Sequence, residues 1–258
     1  MKVELASVSR WSFVFVGFCV VSAVGQTENA YPPNGLFEDS WMEVRMFGAK
    51  VGYAHTTLER EGEVVLSRTH VVMKIKRASS EVKMEAMEES RETLDGRMLG
   101  FTSEVNLGGT PVRRAGVVKG KIMYVTNEQF GRRSTDRYEL DERGIMNWGL
   151  LLLMREKGFD PSTKYEAWIY SPDFGMSAPT KAVMEAYGKE SIELPIGKVD
   201  GAKVTTILHS RAGKIETLSW VDDNGIALKT KMNLGGFPIE MMRTNEASAL
   251  EKFVPADL

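Results

Sequence analysis

Three histidines, His55, His70 and His209, and one cysteine, Cys19, are the only imidazoles and the only thiol in the 258-residue chain. A metal site or a general base would need two of the imidazoles, or one with carboxylates, brought together. No two are at ligand spacing along the chain. All three fall in strand-like segments, so each reads first as an ordinary strand histidine. Asp222-Asp223-Asn224-Gly225 offers oxygens suited to calcium but lacks the alternating ligands and distant Glu of an EF-hand loop, and turn chemistry accounts for it. Glu88-Glu89 are adjacent strand residues that point to opposite faces, so they do not form a glycosidase pair. There is no G-x-S-x-G elbow, and no GxGxxG or Gly-Lys-Ser/Thr phosphate loop. From the residues alone we assign no catalytic group, no metal ligand and no cofactor.

Cys19 sits in a segment that reads as an export signal. Lys2 and Arg10 precede an apolar run from Trp11 to Val24, too short to span a bilayer and of the length of a signal-peptide core. Ala23-Val24-Gly25 supplies small residues for cleavage before Gln26. Bulky Phe18 before Cys19 is a poor fit to a lipoprotein cleavage site, which argues against an acyl anchor there. A chain cleaved after Gly25 has no cysteine, and with it no disulfide, thiolate nucleophile or Cys-based metal site. The expected location is the periplasm or outside the cell. A formal net charge of −2 without a basic block argues against nucleic acid. After the signal, no run is apolar enough to form a transmembrane helix.

The elements that would position any site are strands. Residues 26–36 (QTENAYPPNGL) read as a linker. In Trp41–Phe47, Met42, Val44 and Met46 alternate with Glu43 and Arg45, and Lys50–Glu61 is its expected hairpin partner, ending at Glu61-Gly62. Arg68–Arg77 and Ser80–Thr93 alternate in the same way. Met98–Leu107 and Val112–Val125 complete the strands before a polar stretch, Asn127–Arg143, expected to be a crossing loop. Gly144–Lys157 (GIMNWGLLLLMREK) has helical spacing and is apolar nearly all round, so it is expected to be buried between layers. A second β-rich half follows, with a short strand or helix at Lys181–Tyr187, a turn at Asp222–Gly225, clean alternation over Ile226–Leu234 and a terminal helical turn within Glu246–Phe253.

One stretch occurs twice: NLGGTPV at Asn106–Val112 and NLGGFPI at Asn233–Ile239. Each follows an alternating strand and leads through a proline into another. Gly-Gly allows positive φ at no steric cost, and proline belongs at strand starts. Both copies are expected to be hairpin turns in two related halves. The expected organisation is a signal peptide (1–25), a linker (26–36), a first β-rich half (37–143), an apolar helix with its connector (144–160) and a second β-rich half (161–258); 37–258 as one continuous domain is the alternative.

Certain stretches resemble exported bacterial domains of unknown function found N-terminal to transglutaminase-like domains. These are WMEVRMFGAKVGYAHTT at Trp41–Thr57, GLLLLMREKGFDPSTKYEAW at Gly149–Trp168 and SWVDDNGIALKTKMNLGG at Ser219–Gly236. The resemblance implies a curved antiparallel half-barrel packed on a helix, similar to periplasmic lipoprotein carriers. Transglutaminase activity is not implied, because the chain has neither that domain nor its cysteine.

The expected fold is therefore mainly β, a curved antiparallel sheet packed on a central apolar helix. The expected function is a non-enzymatic envelope protein that binds a hydrophobic small molecule, a lipid or an envelope protein on a concave β face. Methionine fills adaptable apolar space, which makes Met42, Met46, Met73, Met84 and Met232, with Trp148, the candidate ligand-binding residues. An assembly module acting through sheet edges is the alternative. A hydrolase is a second alternative, which a pocket gathering a histidine with a carboxylate would support.

Overall fold

The computed structural model describes residues 31–257, except 78–79, 173–174, 211–212 and 235. The expected signal peptide, Cys19 and most of the linker lie outside the described residues. Eight antiparallel strands follow one another as a meander: β1 (Gly35–Met46), β2 (Ala49–Glu61), β3 (Val64–Arg77), β4 (Ser80–Thr93), β5 (Met98–Leu107), β6 (Val112–Lys119), β7 (Ile122–Gln129) and β8 (Arg132–Glu139). A two-residue strand β9 (Gly144–Ile145) leads into helix α1 (Asn147–Lys157). A second meander comprises β10 (Lys164–Ser171), β11 (Gly175–Leu194), β12 (Gly197–Ser210), β13 (Gly213–Val221), β14 (Ala227–Leu234) and β15 (Phe237–Thr244). Helix α2 (Glu246–Leu250) and strand β16 (Ala256–Asp257) close the chain.

The two meanders form one open, curved sheet, because β1 pairs antiparallel with β15. The sheet runs from β8 through β1 to β15 and on to β9, while β16 lies parallel to the end of β3. The described residues are thus mainly β, with two helices among them.

The alternation of β1 to β5 follows from burial of a single face. That inner face carries Leu58, Val65, Ser67, Ser90 and Phe101, all buried, and α1 packs on it through Trp148 and Leu151. Further along α1, Met154 reaches the second meander at Met184, Ala202, Val204 and Val221. The helix buries one stripe, Trp148, Gly149, Leu151 and Met154, and not its whole circumference. It also starts three residues later than expected, because Gly144-Ile145 pairs with Trp168 and Ile169 of β10.

Two other segments differ from the sequence expectation. Asn127–Arg143 is not a crossing loop; it finishes β7 and forms β8. Strand β8 is an edge strand exposed along nearly its whole length, so it buries neither face and has no hydrophobic period to read. Lys181–Tyr187 is neither short nor helical; it is the middle of the 20-residue β11. Both NLGG copies turn hairpins, β5–β6 and β14–β15. In the first, the Asn106 side chain accepts hydrogen bonds from the Gly108 and Gly109 amides, both at 3.0 Å.

Candidate functional site

Two recesses lie on opposite faces of the first meander. The outer one is a groove of about 630 Å³ lined by charged, hydroxyl-bearing and imidazole side chains together with Met87 and Ala115. The two-residue turn Gly62-Glu63 fixes the β2–β3 register, and this register places His55 directly opposite His70. The same cross-strand row continues through Met87, Glu104, Arg113, Glu128 and Arg133 on the next five strands. The neighbouring row carries Thr57, Arg68, Glu89, Thr102, Ala115 and Thr126.

Charge is balanced strand by strand in this groove. Arg68 bridges Glu59 (2.8 Å) and Glu89 (2.7 Å), and these hydrogen bonds raise its pKa. Arg113 bonds Glu104 at 2.8 Å. His55 Nε2 lies 2.7 Å from Asp39, and its ring stacks on Trp41 with centroids 3.8 Å apart. His70 Nε2 lies 2.8 Å from Glu85. The Glu85 carboxyl is held below its ordinary range, first by its hydrogen bond from Lys83 and then by that from His70. Each imidazole is therefore held by a carboxylate, which fixes its ring. His209 is elsewhere, on β12 opposite Lys181 and Lys214.

The inner recess lies between α1 and the sheet. It consists of two chambers of about 240 Å³ each, and Thr69 and Asn147 line both. One chamber is walled by Ser40, Met42, Thr56, Leu58 and Ser67 from the sheet, and by Leu150, Leu151 and Met154 from the helix. The other adds Val71, Ala86, Ser103 and Val105. The lining mixes these apolar side chains with hydroxyls, with Asn147 and with the carboxylates Glu38 and Glu88. Thr56 and Thr69 hydroxyls bond each other at 3.2 Å. Ser40 donates to Glu38, which also accepts from Arg243 at 2.7 Å. Ser67 Oγ is buried and has no hydrogen-bond partner.

A buried carboxylate holds the helix over this recess. Residue Met146, at the N-cap of α1, supplies no side-chain cap. Glu92 of β4, fully buried, replaces it. Its carboxyl accepts from Trp148 N at 2.7 Å, from Gly149 N at 2.9 Å and from Ser90 Oγ at 2.9 Å. The Trp148 and Gly149 amides are among those that a helix N-terminus leaves unpaired. Loss of water still dominates, and burial raises the Glu92 pKa despite the hydrogen bonds that oppose it. Gly149 passes so close to the β4–β5 turn that a Cβ on it would lie 2.8 Å from the Gly96 carbonyl oxygen.

The six residues picked out from the sequence separate in the structure. Met42, Met46, Met73 and Met232 gather in one packed cluster with Val44, Val51 and Ile239. Of these, Met42 also lines the inner recess. Met84 stands opposite Met73 across β3–β4. Trp148 is fully buried under α1, where its indole donates to the Leu94 carbonyl at 3.0 Å. Sequence reasoning missed the hydroxyl row Ser40, Thr56, Ser67 and Thr69, and it missed Glu92. It also missed the facing histidines, although the Glu61-Gly62 turn it recognised carries their register.

No protein-family model matches the chain, and no curated protein does. A search of solved structures finds a β-barrel-like protein of the domain of unknown function DUF1849 from Brucella abortus, with a TM-score of 0.62 and 11% identity. The match covers 80% of this chain and 95% of that one. The fold is that of a bacterial β-barrel-like domain. The likeness reaches the fold alone, and it lends no support to a transglutaminase-linked context. Among the described residues, no helix is long and apolar enough to cross a membrane.

Proposed function

We propose that this is a non-enzymatic, exported protein of the bacterial cell envelope that holds an apolar or amphipathic small molecule, such as a lipid chain, in the recess between α1 and the inner sheet face. One observation carries the reading: the buried Ser67 hydroxyl, without a partner, in a chamber where Met42, Leu58, Leu151 and Met154 stand among other hydroxyls. An unpaired buried hydroxyl costs stability, and a ligand carrying one polar group would supply its partner. The N-terminal segment supports export. The fold likeness to a bacterial domain supports a bacterial setting. Native mass spectrometry of the purified protein, with organic extraction of the same sample, tests the proposal. A co-purifying amphiphile of defined mass is expected, and a mass equal to that of the bare chain would argue against it.

The outer groove favours a second reading, hydrolysis by acid–base chemistry. His55 with Asp39 and His70 with Glu85 form two imidazole–carboxylate pairs side by side. This reading requires a substrate whose turnover falls at least about a hundredfold in His55→Ala or His70→Ala, the usual size of a general-base contribution.

A further inference from the structure

In an antiparallel meander, alternate turns fall on the same rim of the sheet. The turns after β1, β5 and β7 therefore share a rim. The register of Met46 with Ile239 places the β14–β15 turn there too. Large apolar side chains stand out from all four: Phe47 is 60% exposed, Leu107 63%, Phe130 72% and Phe237 37%. Phe47 and Phe237 meet edge to face, with centroids 6.3 Å apart.

Phe47 and Phe130 occupy left-handed backbone, with φ of 51° and 52°, and each precedes a glycine that is also left-handed. Two-residue hairpins of this shape favour Asn-Gly or Asp-Gly, and a bulky residue at positive φ is a true outlier. Both phenylalanines thus sit at strained positions while contributing little to the core. Strain of this kind at exposed sites points to a role outside folding.

Exposed cations lie along the same rim: Arg132 and Arg133 at the start of β8, Lys76 at the end of β3 and Lys214 at the start of β13. Of the nearby carboxylates, Glu81 is engaged by Lys74 and Glu128 by Arg113, while Glu216 lies two residues from Lys214 and Asp257 of β16 pairs in register with Lys76. Apolar tips between cations are the chemistry that settles into the headgroup region of an anionic bilayer. We propose that this rim docks on the surface of an anionic membrane, with Phe47, Leu107, Phe130 and Phe237 entering the interface and the flanking Lys and Arg meeting lipid phosphates. The proposal rests on the rim alone and not on the inner recess.

The test uses the chain from Gln26 onward, because the strand pairings and core clusters among the described residues lie within Pro32–Asp257. Its co-sedimentation is measured with vesicles of phosphatidylcholine mixed with phosphatidylglycerol, and with phosphatidylcholine alone. Wild type is expected to prefer the anionic vesicles, and salt should weaken that binding. The double substitution Phe47→Asn/Phe130→Asn should lower the partition coefficient by about tenfold or more. It should leave the circular dichroism unchanged and the melting temperature equal or higher, because asparagine suits the left-handed turn. Arg132→Gln/Arg133→Gln should reduce the preference for anionic lipid. Absence of binding to either vesicle would overturn the proposal, as would equal binding by wild type and the Phe double variant. A fall in melting temperature in that variant would make the phenylalanines structural and overturn it too. Concentration-dependent dimerisation that the double variant abolishes would assign the rim to a second copy of the chain instead.

Discussion

Glu92 offers the sharpest test of how the helix is fixed to the sheet. Glu92→Ala removes the acceptor for Trp148 N, Gly149 N and Ser90 Oγ and leaves all three donors buried. Each buried unsatisfied donor costs about 1–3 kcal/mol. Part of that is offset, because the substitution also removes a carboxyl whose ionised form is costly to bury. A net loss of about 3–5 kcal/mol follows, a large fraction of the 5–15 kcal/mol typical of a whole protein. In a chain of this length it corresponds to a fall in Tm of roughly 6–20 °C. Glu92→Gln keeps one acceptor oxygen but turns an amide NH2 toward the other donors, so it should lose about half as much. The pH dependence has a definite sign. The folded-state pKa of Glu92 is raised above its ordinary value of 4.5. The folded state therefore binds the proton more tightly, and this contribution to stability is full below about 4.5 and is lost as pH rises through the folded pKa. Glu92→Gln should lack that component. Urea unfolding followed by circular dichroism across this pH range measures both effects. An alanine variant within 1 kcal/mol (approximately) of wild type would refute the capping role.

Two further outcomes follow from close contacts and buried hydroxyls. Gly149→Ala would place a methyl group 2.8 Å from the Gly96 carbonyl oxygen and should cost about 1–3 kcal/mol in thermal or urea unfolding, with α1 pushed off the sheet. The Tyr165 hydroxyl is buried without a partner, and burial pushes its pKa up from 10.0 to about 12. An acid with a raised folded pKa contributes stability that is lost as pH climbs from 10 to about 12. Tyr165→Phe should therefore be as stable as wild type at neutral pH and should lose less stability across that alkaline window.

Much of the sheet was legible because one face is buried and the other wet. Met42-Val44-Met46 and the alternation of Arg68–Arg77 marked β1 and β3 directly, and turn residues marked the hairpins at Gly62, Gly96 and Gly225. Strand β8 was not legible, since an edge strand exposed on both faces has no reason to alternate. The sites were less legible than the strands. Facing histidines 15 residues apart become neighbours only through register, and register needs the turn to be counted residue by residue. The inner hydroxyls looked like ordinary strand serines and threonines, because nothing in the local sequence shows which face α1 will cover. Glu92 was hidden for the same reason: a carboxylate on an alternating strand reads as solvated until a helix N-terminus from 56 residues away lies on top of it. Methionine content pointed to the inner face, and four of the five methionines chosen met in one packed cluster.

The most direct test of the proposed binding role is titration of a fluorescent fatty-acid analogue against the wild type and Ser67→Leu. Leucine at this position fills the chamber and removes the unpaired hydroxyl. The account predicts saturable binding to wild type, affinity reduced about tenfold or more in Ser67→Leu, and a melting temperature in the variant that is unchanged or raised. Equal affinity in the two proteins, or no binding to wild type, would contradict it.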